Sequence, residues 1–307
     1  MLNQTDKDLL EQIADIKDGE VSGAYNIRKD CGCASRAVTE NINIETKTDK
    51  PGIDITIKPG TKGETCYIHV IITESGVVEM VYNDFFIGED CEVTIIAGCG
   101  IHNCGEEESR HDGIHTFYIG ERSRVTYVEK HYGDGDGNGQ KVMNPQTVVH
   151  LAKDAFIKMD TTQIKGVDST KRDTKIVCGE GAETVITERL QTHGDQFAES
   201  YMEIILDGED SKGRVISRSV AQDNSKQIFY PRMTGNAKCF GHVQCDSIIM
   251  DNAKISSIPA IEANSTEAEL IHEAAIGKIA GDQLLKLQTL GLTEEEAQER
   301  ILKGFLS

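Results

Sequence analysis

The chain has 307 residues, with 51 acidic and 32 basic side chains and a net charge of −19. A field of that sign repels nucleic acid and anionic membranes and suits basic protein surfaces or metal cations. The length allows one large domain or two small ones, and the absence of Trp argues against a sugar-stacking groove.

The opening stretch MLNQTDKDLLEQIADI is acidic and has one apolar pair, so it does not read as a signal peptide. No apolar run approaches the roughly 18 residues of a membrane span. A soluble, cytoplasmic protein is expected. Thr5 is placed to cap a short helix, with Asp8 three residues on as in a capping box. Leu9, Leu10, Ile13 and Ile16 follow at helical spacing. Residues 1–21 are therefore expected to form an N-terminal helical segment.

From residue 22 to 279 the chain reads as strand after strand. A turn followed by a β run recurs as GEDCEVTII at 88, GERSRVTYV at 120, AKDAFIKMD at 152 and GEGAETVIT at 179. It continues as GEDSKGRVI at 208, GNAKCFGHV at 235, DNAKISSIP at 251 and NSTEAELIH at 264. Repeats of this kind mark a solenoid, whose units bury their apolar faces by stacking on one another. With turns in place of crossover helices, the expected fold is a parallel β-helix. A β-sandwich competes, but its turns recur every ~8–12 residues.

Residues 280–307 change period. Asp282 is expected to cap a helix carrying Leu284, Leu285 and Leu287, with Gly291 ending it. TEEE at 293–296 reads as a capping box, after which Ala297, Ile301 and Phe305 fall on one face. A helical hairpin this short cannot fold alone and must dock on the β body or on a partner.

The nine cysteines are Cys31, Cys33, Cys66, Cys91, Cys99, Cys104, Cys178, Cys239 and Cys245. Their odd number points to buried thiols, or to metal and redox chemistry, over a disulfide framework. CGIHNCGEEESRHDGIH gathers Cys99, His102, Cys104, His111 and His115, but at no usual zinc spacing. DGDGNG at 134–139 begins like a calcium loop, yet Pro145 stands where the bidentate Glu belongs. In CFGHVQC, strand alternation puts Cys239 and Cys245 on one face and His242 on the other. HEAAI has Ile276 where a zinc protease needs its second His, and as a strand it points His272 and Glu273 opposite ways. No Gly-rich phosphate loop precedes a helix, so the chain itself is not expected to bind ATP. No G-x-S-x-G elbow is present either.

The C-terminal third carries more. QCDS at 244–247, IHEA at 271–274, the DQL at 282–284 and GLTEEEA followed by ILKGF at the end occur in order. This stretch resembles the SufB/SufD family of iron–sulfur cluster assembly scaffolds, in its compact SufB-like branch. The likeness is weaker upstream and extends to about residue 80. It implies a right-handed parallel β-helix with helical ends, which agrees with the repeat reading. It also implies pairing through the β-helix core, as a homodimer or with a SufB/SufD-type paralogue. A SufC-like ABC ATPase would dock on the C-terminal helical region.

The resemblance assigns a transient iron–sulfur cluster to Cys245, His272 and Glu273 at the protomer interface. A sulfur donor and acceptor apoproteins complete the implied partners, and the chain is a scaffold without catalytic residues of its own. Soft thiolate suits iron and sulfide, while imidazole is a weaker, exchangeable ligand that favours release. Two departures stand out. Ile271 replaces the glutamate that precedes H-E in SufB-type sequences, and VVHLAKDAF holds no cysteine where the family's sulfur acceptor is expected, leaving Cys178 or the Cys99/Cys104 pair as substitutes. Two rivals remain open: a SufD-like adaptor of the ATPase that never holds iron, and a β-helix carbohydrate-active enzyme.

Overall fold

The computed structural model describes residues 2–14, 16 and 21–306. Among these, two sheets of ten and eleven strands face each other across one interior, and the chain alternates between them in about eight coils. Beyond the first coils, each strand pairs in parallel with the strand one coil away, as Cys239–Ile249 does with Ser211–Ala221 and with Ala268–Gly277. The β-helix expectation therefore holds and the β-sandwich is excluded. Antiparallel pairing is confined to the first coils, where Ala24–Lys29 meets Gly32–Ala37 and Ile42–Thr46 meets Gly52–Ile57.

The repeat unit coincides with the coil. All of its copies except the one at 251 lead into strands of the ten-stranded sheet. Their turns need a left-handed residue, supplied by Asp90 (φ +55°), Asp154 (φ +57°) and Asp210 (φ +58°). Aspartate tolerates this region because its short side chain bonds locally. At Arg122 (φ +57°) the guanidinium is held over the preceding turn by Asp90 at 2.9 Å and Glu89 at 3.0 Å.

The interior is split lengthwise. One half is apolar and continuous, built from side chains such as Ile95, Tyr127, Ile157, Ile186, Val215 and Val243. The other half is polar and buried: Glu129, His131, Thr161, Gln163, Glu188, Ser217 and Ser219.

Helix α1 (Gln4–Ala14) lies on the outer face of the ten-stranded sheet, with Leu9, Leu10 and Ile13 buried against Ile27 and Ile71. Its capping box is Asn3/Asp6, not Thr5/Asp8: Asp6 N donates to Asn3 Oδ1 (2.9 Å) and Asn3 N to Asp6 Oδ2 (2.7 Å). Buried Asp6 also meets Lys29 at 2.8 Å, a contact unavailable to Asp8, which fixes the register. At the other end, α2 (Gly281–Thr289) starts at Ala280 without a side-chain cap, so Asp282 sits in its first turn and does not cap it. Gly291 (φ +94°) does end it. Helix α3 (Glu294–Phe305) begins with the expected Thr293/Glu296 capping box. Its Leu302, with Leu306 beyond it, packs on Val220 of the β body. No helix among the described residues is long and apolar enough to cross a membrane.

Candidate functional site

Parallel pairing in register stacks the same inward position of successive coils into columns. One column runs Ala97, Glu129, Thr161, Glu188, Ser217, Cys245 and Ala274. The neighbouring column, two residues back, runs Ile95, Tyr127, Met159, Ile186, Val215, Val243 and His272. Cys245 is thus on the penultimate strand of the sheet and His272 on the last, one step diagonally across. Cys245 Sγ lies 3.6 Å from His272 Nε2.

The two side chains differ in environment. Cys245 is 3% exposed, and burial pushes its thiol up to about 12. His272 is half-buried, and partial desolvation with His242 nearby lowers its pKa below the ordinary imidazole value. A neutral imidazole beside a protonated thiol pairs a ring nitrogen with a soft sulfur, donor types that would suit a soft metal once the thiol proton is lost. Gly241 faces inward within the same unbroken strand, where a Cβ would collide with Met233 Sδ.

The last strands are edges. From Ile271 to Gly277, every residue of Ala268–Gly277 except His272 is exposed, as are the residues of Ala260–Ala263. The pair of interest therefore lies at the open C-terminal end of the solenoid. Glu273 falls on the outer face, with Glu273 Oε2 3.5 Å from His242 Nε2. Alternation separates it from Cys245 and His272 within one chain. Ile271, 44% exposed, shares that outer face.

Below Cys245 the polar column forms a hydrogen-bonded network. Ser217 Oγ donates to Glu188 Oε2 at 3.2 Å, and Ser200 Oγ to Glu188 Oε1 at 2.9 Å. Arg172 bridges Glu188 (3.7 Å) and Glu129. Tyr127 OH donates to Glu129 Oε1 (3.1 Å) and meets His115 Nδ1 at 2.9 Å. Burial alone would raise the Glu129 pKa; Arg172 and His131 beside it outweigh that and hold it well below the carboxylate range. Charged residues in strands usually face water, so this network escaped the sequence reading. The clue was parity: Glu129 is in phase with Val125 and Tyr127, and Glu188 with Ile186.

The cysteine–histidine stretch is divided by the same parity. Cys99, His111 and His115 point into the solenoid, lining a narrow cavity of about 20 Å³. His102 and Cys104 lie outside, with Cys104 Sγ 3.0 Å from His102 Nε2. Among the described residues no group of three or more His, Cys, Asp or Glu is arranged to hold a metal ion. The DGDGNG loop stacks instead on the preceding coil, its Gly137 against the backbone of Cys104 and Gly105. Cys239 and Cys178 are buried in the apolar half, and burial raises the Cys178 thiol to about 12.

Residues 70–305 match the family described as SUF system FeS cluster assembly, SufBD core domain. Relatives named iron–sulfur cluster assembly SufBD family proteins agree. One from Methanothermobacter thermautotrophicus (strain Delta H) is 30% identical over 86% of this chain and 64% of its own length. One from Methanocaldococcus jannaschii is 29% identical over 76% and 74%, and one from Archaeoglobus fulgidus is 25% identical over 91% and 73%. The chain thus spans somewhat less than two thirds of the first of these. On its core domain, its repeats and its solenoid, the chain belongs to the SufBD family of iron–sulfur cluster assembly proteins.

Proposed function

We propose that this chain is a scaffold on which a nascent iron–sulfur cluster is assembled, with the Cys245 thiolate and the His272 imidazole as its protein ligands. The observation that carries this reading is the 3.6 Å approach of Sγ and Nε2 at the open end of the solenoid. Two ligands cannot enclose a cluster. A second copy, or a SufB/SufD-type paralogue, meeting the exposed edge strands supplies the others, and a two-fold axis doubles the pair. Glu273 and His242, outward on the same strands, then face the partner, where Glu273 is placed to reach a cluster bound across the contact. An incomplete set of cysteines suits a scaffold that must hand its cargo on.

The helical hairpin docks a SufC-like ABC ATPase. Supporting this, α3 is anchored on the β body while α2 buries none of its residues, and Leu285 and Leu290 are 61% and 74% exposed. Closure of the ATPase on ATP then shifts the two protomers and opens the cluster site.

Anaerobic reconstitution with iron and sulfide, read by visible absorption and iron counting, tests the scaffold. The wild-type chain takes up a cluster, and His272→Ala retains less of it without loss of fold. A wild-type dimer that takes up no iron or sulfide identifies an adaptor of the ATPase instead.

A further inference from the structure

At the opposite, N-terminal end, the two antiparallel hairpins surround a cavity of about 200 Å³. Arg28, Arg36, Lys47 and Lys50 line it, and no acidic side chain does among the described residues. In a chain of net charge −19 such a lining is not an average sample of the surface. Two of the cations are already matched: Arg28 Nε meets Glu79 at 2.7 Å, and Lys47 meets Asp84 at 2.6 Å and Asp54.

The other two are not. Arg36 donates from Nε to Asn26 Oδ1 and from Nη1 to Thr46 Oγ1, both at 2.9 Å and both neutral acceptors. Its Nη2 makes no hydrogen bond among the described residues, nor does it meet a carboxylate. Among the described residues, Lys50 Nζ has no ion pair or hydrogen bond and lies over the Tyr82 ring, 4.5 Å from the centroid. Asn26 is buried, and its Oδ1 also accepts from Cys33 Sγ at 3.7 Å, which leaves its Nδ2 as a further donor. Donors of this kind, fixed by neutral partners and facing an enclosed space, match the oxygens of a small anion.

We propose that this cavity at the N-terminal mouth of the solenoid binds a small tetrahedral oxyanion, held by Arg36, Lys50 and the Asn26 amide. The site is independent of Cys245 and His272 and does not rest on the cluster reading. Asn83 lines both this cavity and the narrow one holding His111 and His115, so the anion sits at the entrance to the polar half of the interior.

Titration calorimetry on the full chain tests it, in a dilute Tris-chloride buffer free of phosphate and sulfate. Inorganic phosphate and thiosulfate are titrated separately, which distinguishes a phosphoryl group from a sulfur oxyanion as the source of the chemistry. At least one of them is expected to bind saturably at one site per chain, more weakly as sodium chloride is added. Arg36→Gln weakens that binding about tenfold or more, Lys50→Gln weakens it less, and Arg122→Gln, outside the cavity lining, leaves it unchanged. No saturable heat with either anion, or Arg36→Gln binding as wild type does, overturns the proposal. If Arg36→Gln loses the wild-type circular dichroism, exposed Lys50 decides: unchanged binding in Lys50→Gln overturns it equally.

Discussion

Arg172 and Glu129 form an ion pair inside the solenoid, with side chains 7% and 3% exposed. Glu188 sits on the other side of the same guanidinium at 3.7 Å. One cation thus serves two buried carboxylates. Removing it takes the guanidinium from Glu188 and leaves Glu129 with His131 alone, and breaking such a pair costs about 3–5 kcal/mol. Arg172→Met is therefore expected to lower the unfolding free energy by that order in a urea titration. Adding Glu129→Gln and Glu188→Gln recovers most of the loss. A single variant as stable as wild type contradicts the pairing.

Acid should destabilise the fold well before its surface carboxylates titrate. Among the described residues neither ring nitrogen of His69 has a hydrogen-bond partner, and burial lowers its pKa to about 3. Burial likewise brings His115 to about 4. The unfolded chain protonates both near an ordinary imidazole pKa of about 6.5. Stability from these residues is thus fully present above that pH and is lost progressively as pH falls toward 4 and 3. The urea midpoint is expected to drop between pH 7 and pH 5, and less so in His69→Leu. A midpoint constant over that range contradicts it.

Gly241 shares its inward space with Met233 Sδ and Leu270. Gly241→Ala overpacks this point, at a cost of about 1–3 kcal/mol, and Met233→Ala in the same chain relieves the clash. Thermal unfolding of the single and double variants measures this. Equal transition temperatures for all three proteins contradict the packing.

ATPase docking and folding should separate at α2. Leu285→Asp with Leu290→Asp changes exposed positions and is expected to leave stability within about 0.5 kcal/mol of wild type. The same variant is expected to lose the ATPase partner in a pull-down. Retained binding contradicts docking through this helix.

Much of the fold was legible because the coil punctuates itself. Asp90, Asp154 and Asp210 mark turns that the chain must make in a left-handed conformation, and the β runs after them alternate visibly. Helix starts were less legible. Asn3 and Thr5 are both acceptable caps on local grounds, and the choice is made by Asp6 reaching Lys29, a residue on a strand of the β body. Within the site, the motif likeness drew attention to Cys245 and His272, and alternation separated Glu273 from His272. The diagonal 3.6 Å approach is set by the register between the last two strands of the sheet, which local pattern does not specify. The interior network stayed hidden for the same reason: Glu129 and Arg172 are 43 residues apart in sequence and meet only when the coils stack.

Cys245→Ala, reconstituted anaerobically beside the wild-type chain, bears most directly on the scaffold reading. Iron and acid-labile sulfide are counted, and circular dichroism and subunit mass are taken on the same samples. The variant is expected to keep its fold and its oligomeric state while holding no cluster. A variant that retains the full wild-type complement of iron and sulfide contradicts the assignment of Cys245 as a ligand.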